Sequence, residues 1–160
     1  MALNYARTIA LKAPLQERVE RIVDGCADKS TTVLRLAIGV VFLWFGVLKL
    51  FPGSSPAEAL AGKTIFALTM GLVKPAVSVP LLGILECTIG GLLLSGRHLK
   101  LALMLLMFQM AGTLTPLLLF PQDTFAVFPV EPTLLGQYII KNVVLIAGGF
   151  VLASAQRNGA

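Results

Sequence analysis

Glu86 lies inside the run Val77–Leu94, which carries no other charge. A carboxylate in the middle of so long an apolar segment costs about 3 kcal/mol or more unless it faces a protein interior, finds a partner or binds a proton. Around it, Gly83, Glu86, Cys87 and Gly90 follow helical spacing. Gln109, Gly112, Thr113 and Pro116 repeat that rhythm further on, and Tyr138, Lys141, Asn142, Leu145 and Gly149 trace a similar stripe. Small residues let apolar helices approach closely, and polar side chains hydrogen-bond across the contact. The three stripes are therefore expected to face one another. At ~1.5 Å per residue, Glu86 and Lys141 differ in depth by roughly 5 Å, within reach of a lysine side chain. The expected ion pair is Glu86–Lys141, with Gln109 and Asn142 as hydrogen-bonding neighbours. Lys49 and Arg35 lie within about a turn of a segment end and are expected to extend to the headgroup region.

Two readings of this constellation stand side by side. In one, the pair only holds two helices in register, as buried pairs often do. In the other, Lys49, Glu86, Gln109, Thr113 and Lys141 bound a polar pocket that holds a quinone or another amphipathic molecule, or relays a proton. With a quinone, Lys141 or Lys49 would polarise a carbonyl and Glu86 would exchange the proton. His98 is the sole histidine, which excludes a haem held by two histidines of this chain and a His-rich metal site. No metal-ligand cluster, nucleophile triad or Gly-rich phosphate loop is present in the sequence. The chain itself supplies no cofactor, and a quinone is one candidate from outside it. Cys26 and Cys87 form no CxxC, and Cys87 reads as a packing residue. Trp44 sits too deep in its apolar block for an interfacial position and is expected in the core.

The elements that must position these residues follow from composition. Of 160 residues, 56% are hydrophobic and 13% charged, against about 25% charged in ordinary soluble domains. The apolar residues form four blocks, Val33–Phe51, Val77–Leu94, Leu99–Phe120 and Leu134–Ala153. Each is close to the ~20 residues that cross a bilayer as a helix. Continuous blocks exclude the alternating strands of a membrane barrel. The fold class is all-α integral membrane, a four-transmembrane-helix bundle. Residues 1–32 form a cytoplasmic tail, 33–154 the membrane domain and 155–160 a cytoplasmic C-terminus. Basic residues fix that orientation. Arg7, Lys12, Arg18, Arg21 and Lys29 precede the first span, Arg97 and Lys100 join spans two and three, and Arg157 follows the fourth. The net charge of +5 is thereby accounted for without nucleic acid.

In the tail, Leu15, Val19, Ile22 and Cys26 recur at helical spacing. They suggest an N-terminal amphipathic segment on the membrane face, or equally a frayed helix in water. Between spans one and two, Ser55, Pro56 and Glu58 read as N-cap, first-turn proline and capping-box acid. They open an outer-side interfacial or re-entrant helix over Ala57–Val73. Pro116 predicts a kink in span three. The linker Pro121–Thr133 carries Phe125 and Phe128 among three prolines, which favours lying on the membrane or capping the bundle.

Four segments resemble the DoxX-like membrane proteins. They are Arg35–Leu50, Gly83–Gly90, Leu114–Pro116 and Gly136–Gly148, taken in order. The branch they resemble most is the one linked with reactive-chlorine resistance. The resemblance implies a four-helix bundle in a bacterial inner membrane and associates it with quinone-linked redox or oxidative-stress chemistry. It marks Arg35, Gly46, Lys49, Glu86, Gly90, Pro116, Lys141 and Asn142 as the corresponding residues. The first outer loop is shorter than in that branch, and paired cysteines are missing, which speaks against a thiol relay. The expected role is that of a quinone- or partner-binding component, with the bilayer, a membrane or periplasmic redox partner, or further copies of itself as partners. The alternatives are a structural subunit of a membrane complex and a small transporter. The latter is disfavoured because the inner halves of spans two to four carry almost no polar residues.

Overall fold

The computed structural model describes residues 17, 19–25 and 29–157. The chain divides into two units, Met1–Val33 and Leu34–Ala160. In the first, residues 19–25 are helical and exposed, and Arg21 pairs with Glu17 at 3.8 Å. The rest of the expected amphipathic segment, including Leu15 and Cys26, lies outside the described residues.

Four long helices carry the apolar blocks. They are α1 (Ser30–Lys49), α3 (Pro75–Ser95), α4 (Leu99–Leu114, continued by the short α5, Pro116–Leu119) and α7 (Leu134–Arg157). All four are long and apolar enough to cross a membrane. The break between α4 and α5 falls at Thr115-Pro116, as a proline without an N–H and with a ring against the preceding turn requires. α3 runs on through Pro80, which sits in its second turn. The last helix runs to Arg157, past the expected end at Ala153.

The core that joins these helices is apolar: Ile38 and Phe42 of α1, Ile89 and Leu93 of α3, Leu103 and Leu106 of α4. Around it, Val40, Ile84, Met104, Phe108, Val144 and Phe150 are exposed, as lipid-facing positions must be. Trp44 belongs to this outward set at 67% exposure and does not pack in the core as its depth suggested. Depth is a property of position along the helix, whereas facing depends on rotation about it. Trp44 sits two residues from the buried Phe42 and Gly46, half a turn off their face.

α1 and α3 run antiparallel with glycine on both sides of the seam. Gly39 and Gly46 are seven residues apart, as are Gly83 and Gly90. A Cβ at Gly46 would stand 2.9 Å from the Gly83 carbonyl oxygen, and one at Gly90 would stand 2.8 Å from that of Gly39. Backbone meets backbone at both levels, so the register of the two helices admits no slip. The stripe of span two, expected to face those of spans three and four, thus also lies along span one at its glycines.

Between α1 and α3 lies α2 (Glu58–Leu68), shorter than the expected Ala57–Val73. Its Gly62 packs on Pro75 and Val79 of α3. The expected capping box is replaced by a different closure. Ala57 is the N-cap residue without a side-chain bond, and Glu58 instead accepts from the Gly53 N–H at 2.8 Å. Lys63 of α2 reaches Asp123 at 2.6 Å and lies 4.1 Å from the centre of the Phe120 ring. The linker before α7 forms α6 (Pro121–Thr124) and a two-stranded antiparallel pair, β1 (Phe125–Val127) and β2 (Glu131–Pro132). The fully buried Thr124 seats this cap, its carbonyl lying where a side chain on Gly136 of α7 would otherwise be.

Candidate functional site

Lys49, Glu86 and Gln109 come together from α1, α3 and α4, at 8%, 6% and 6% exposure. Lys49 Nζ donates to Glu86 Oε2 at 2.7 Å, and Gln109 Nε2 donates to Glu86 Oε1 at 2.7 Å. Both carboxylate oxygens are thus engaged by side chains of different helices. Lys49 also donates, at 3.4 Å, to the Phe45 carbonyl one turn back in α1.

The expected Glu86–Lys141 pair does not form. Lys141 is exposed on α7, its ammonium 5.9 Å from the centre of the Tyr138 ring. Lys49, expected both to reach a headgroup and to bound the candidate pocket, takes its place. The reason is the direction in which helical side chains lean, which is toward the N-terminus of their own helix. Lys49 closes α1, so its stem points back into the bundle. Glu86 leans toward the start of α3, which in an antiparallel pair is toward the end of α1. The two side chains converge. At roughly 1.5 Å per residue, their Cα atoms stand about 9 Å apart along the seam, three residues beyond Gly46 and Gly83 respectively. Lys141 leans toward the start of α7 and Tyr138, away from the core.

The other expected site residues fall around this centre. Thr113 is half-buried and donates to the Gln109 backbone carbonyl at 2.9 Å, so it spends its hydroxyl within α4. Asn142 is half-buried on α7 and does not bond Glu86. Gly112 makes no close contact and is not a seam residue. Arg35 is half-buried: its guanidinium donates to the Leu93 and Leu94 carbonyls at the end of α3 and lies beside Gly96. These carbonyls have no intrahelical donors, and a cation is favoured at that end of a helix. The arginine closes α3 and does not extend to a headgroup. Among the described residues no group of three His, Cys, Asp or Glu side chains is placed to hold a metal ion.

One polar atom in the cluster has no partner. Gln109 Oε1 is buried and accepts no hydrogen bond among the described residues. Its orientation is forced, because an ionised carboxylate only accepts and the amide must present its NH2 to Glu86. The carbonyl is consequently turned away from the ion pair, as an acceptor ready for a donor.

Four apolar helices around an intramembrane Lys–Glu–Gln cluster define a multi-pass helical membrane protein with a charged interior. The DoxX family model matches residues 30–120, more than half of the chain, and the chain belongs to that family. The match spans α1 to α5 and so includes all three members of the cluster, while Lys141 lies beyond it. No curated protein and no solved structure matches the chain.

Proposed function

We propose that this DoxX-family protein is a bacterial inner-membrane component that supports redox or oxidative-stress chemistry by binding a quinone at the Lys49–Glu86–Gln109 cluster. Both termini are cytoplasmic in this reading, and the branch linked with reactive-chlorine resistance is its nearest functional context. A membrane or periplasmic redox partner would supply or take the electrons.

The observation that carries the reading is the unpaired Gln109 carbonyl. A buried acceptor without a donor is unfavourable by about 1–3 kcal/mol, and a hydroquinone hydroxyl is a donor suited to an apolar site. The second Gln109 amide hydrogen and the Lys49 ammonium are donors for an oxidised ring carbonyl. Glu86 is placed to hold or release the accompanying proton. A bound quinone would supply two-electron, two-proton chemistry; the chain supplies the polar contacts and a dry surround. The test is purification in a mild detergent, extraction of bound lipids, and titration with short-chain ubiquinone and menaquinone followed by spectroscopy. Recovery of quinone and saturable binding that weakens in Gln109→Leu are expected. No recovered quinone together with no binding sinks the proposal.

A second reading is favoured by the two engaged oxygens of Glu86 and the closure of all three side chains. In it the cluster only fixes α1, α3 and α4 in register within a larger membrane complex. The double variant Lys49→Met/Glu86→Leu separates the two. If it assembles and protects cells from oxidants as the parent does, the structural reading stands.

A further inference from the structure

Lys141 is an exposed cation in the first half of α7, a largely apolar helix. Around it, Tyr138 is 54% and Val144 72% exposed. No carboxylate among the described residues pairs with it: the side-chain ion pairs are Arg21–Glu17, Lys49–Glu86 and Lys63–Asp123. An unpaired ammonium on a lipid-facing surface must find an anion from outside the chain or extend to water.

Its position decides which anion. α7 has 24 residues, about 36 Å at 1.5 Å per residue, against roughly 30 Å of hydrocarbon. The apolar part, Leu134–Ala153, accounts for about 30 Å, so the excess is the polar end Ser154–Arg157 and the helix start lies at the edge of the hydrocarbon. Lys141 is the eighth residue, about 10 Å from the helix start, and its stem leans back toward that start, over Tyr138. The stem carries the ammonium from there toward the hydrocarbon edge, where phospholipid phosphates lie, as lysines near helix ends do. The Tyr138 hydroxyl and the exposed Gln137 amide are further donors on the same first turns.

We propose that the start of α7 binds the phosphate of an anionic phospholipid, with Lys141 as the charged contact and Tyr138 and Gln137 as hydrogen-bond donors. The site is independent of the cluster in the core. A basic side chain at the membrane surface favours anionic over neutral lipid by a factor of about five.

The test uses the full chain in nanodiscs of phosphatidylcholine containing photoactivatable phosphatidylglycerol, with crosslinks mapped by peptide mass spectrometry. Crosslinks to the first turns of α7 are expected to exceed those of a photoactivatable phosphatidylcholine about fivefold. Lys141→Gln should abolish that preference and Lys141→Arg should restore it, with unchanged helical circular dichroism in both. Equal labelling by the two lipids in the parent protein, or an undiminished preference in Lys141→Gln, overturns the proposal. So does a membrane protein that copurifies with the parent and is lost in Lys141→Gln while lipid labelling is unchanged, which would assign the lysine to a protein partner.

Discussion

Lys49 and Lys141 are the same side chain on two apolar helices, and they end in opposite surroundings. Lys49 is the last residue of α1, where a lysine is ordinarily expected to escape to the headgroups, yet it is 8% exposed and ion-paired. Lys141 lies a third of the way along α7, where burial is expected, yet it is exposed. Distance from a helix end is thus a poor guide to where a lysine goes. The direction of lean and the rotation of the helix decide it. A lysine at the C-terminal end of a helix points inward along its own axis, and one near the N-terminal end points outward. The glycine seam completes the contrast. It brings α1 and α3 so close that a side chain leaning inward from α1 meets α3 at once, whereas Lys141 on α7 stays exposed.

The contrast predicts unequal responses to substitution, measured as unfolding free energies in mixed micelles of mild detergent and dodecyl sulfate. Glu86→Leu leaves Lys49 buried and unpaired, and should destabilise by about 3–5 kcal/mol. Adding Lys49→Met should recover most of that loss, since an apolar pair of similar volume is often neutral relative to a buried ion pair. A double variant as unstable as the single one would mean that Lys49 is not the partner. Gln109→Leu removes one hydrogen bond to the carboxylate together with the unpaired carbonyl, and the lost bond to a charged group sets a loss of about 1.5–3 kcal/mol. Gly46→Ala would place a Cβ 2.7 Å from the Cys87 backbone nitrogen, and overpacking of this kind costs about 1–3 kcal/mol. The same change at Gly112, where a Cβ meets nothing within 4 Å, should be neutral or slightly stabilising because alanine favours the helix. Equal losses at the two glycines would refute the seam. Lys141→Gln should fall within about 0.5 kcal/mol of the parent, as surface changes away from special features do. A loss as large as that of Glu86→Leu would return Lys141 to the core.

Much of the architecture was legible in advance because hydropathy is summed along the chain. The four blocks became α1, α3, α4 with α5, and α7, and Thr115-Pro116 broke the third where a proline must. Glu86 and Gln109 were recognisable as interior residues for the same reason, a polar group on a small-residue face of an apolar helix. The pairing of Gly39 and Gly46 with Gly83 and Gly90 was a signal present in the sequence and unused. Equal seven-residue spacings on consecutive antiparallel spans match level with level, and that register points at Lys49. The short hairpin of β1 and β2 had no comparable signal, since its strands are three and two residues long.

The order of residues alone thus settled that this chain carries four membrane-length helices and that a carboxylate is held among them, because the transfer of side chains from water depends on each segment separately. Which lysine answers that carboxylate was decided only when the helices packed. Helix rotation, the antiparallel register set by glycine contacts and the lean of side chains toward their own N-termini are relations between segments, and together they brought Lys49 in and left Lys141 facing out.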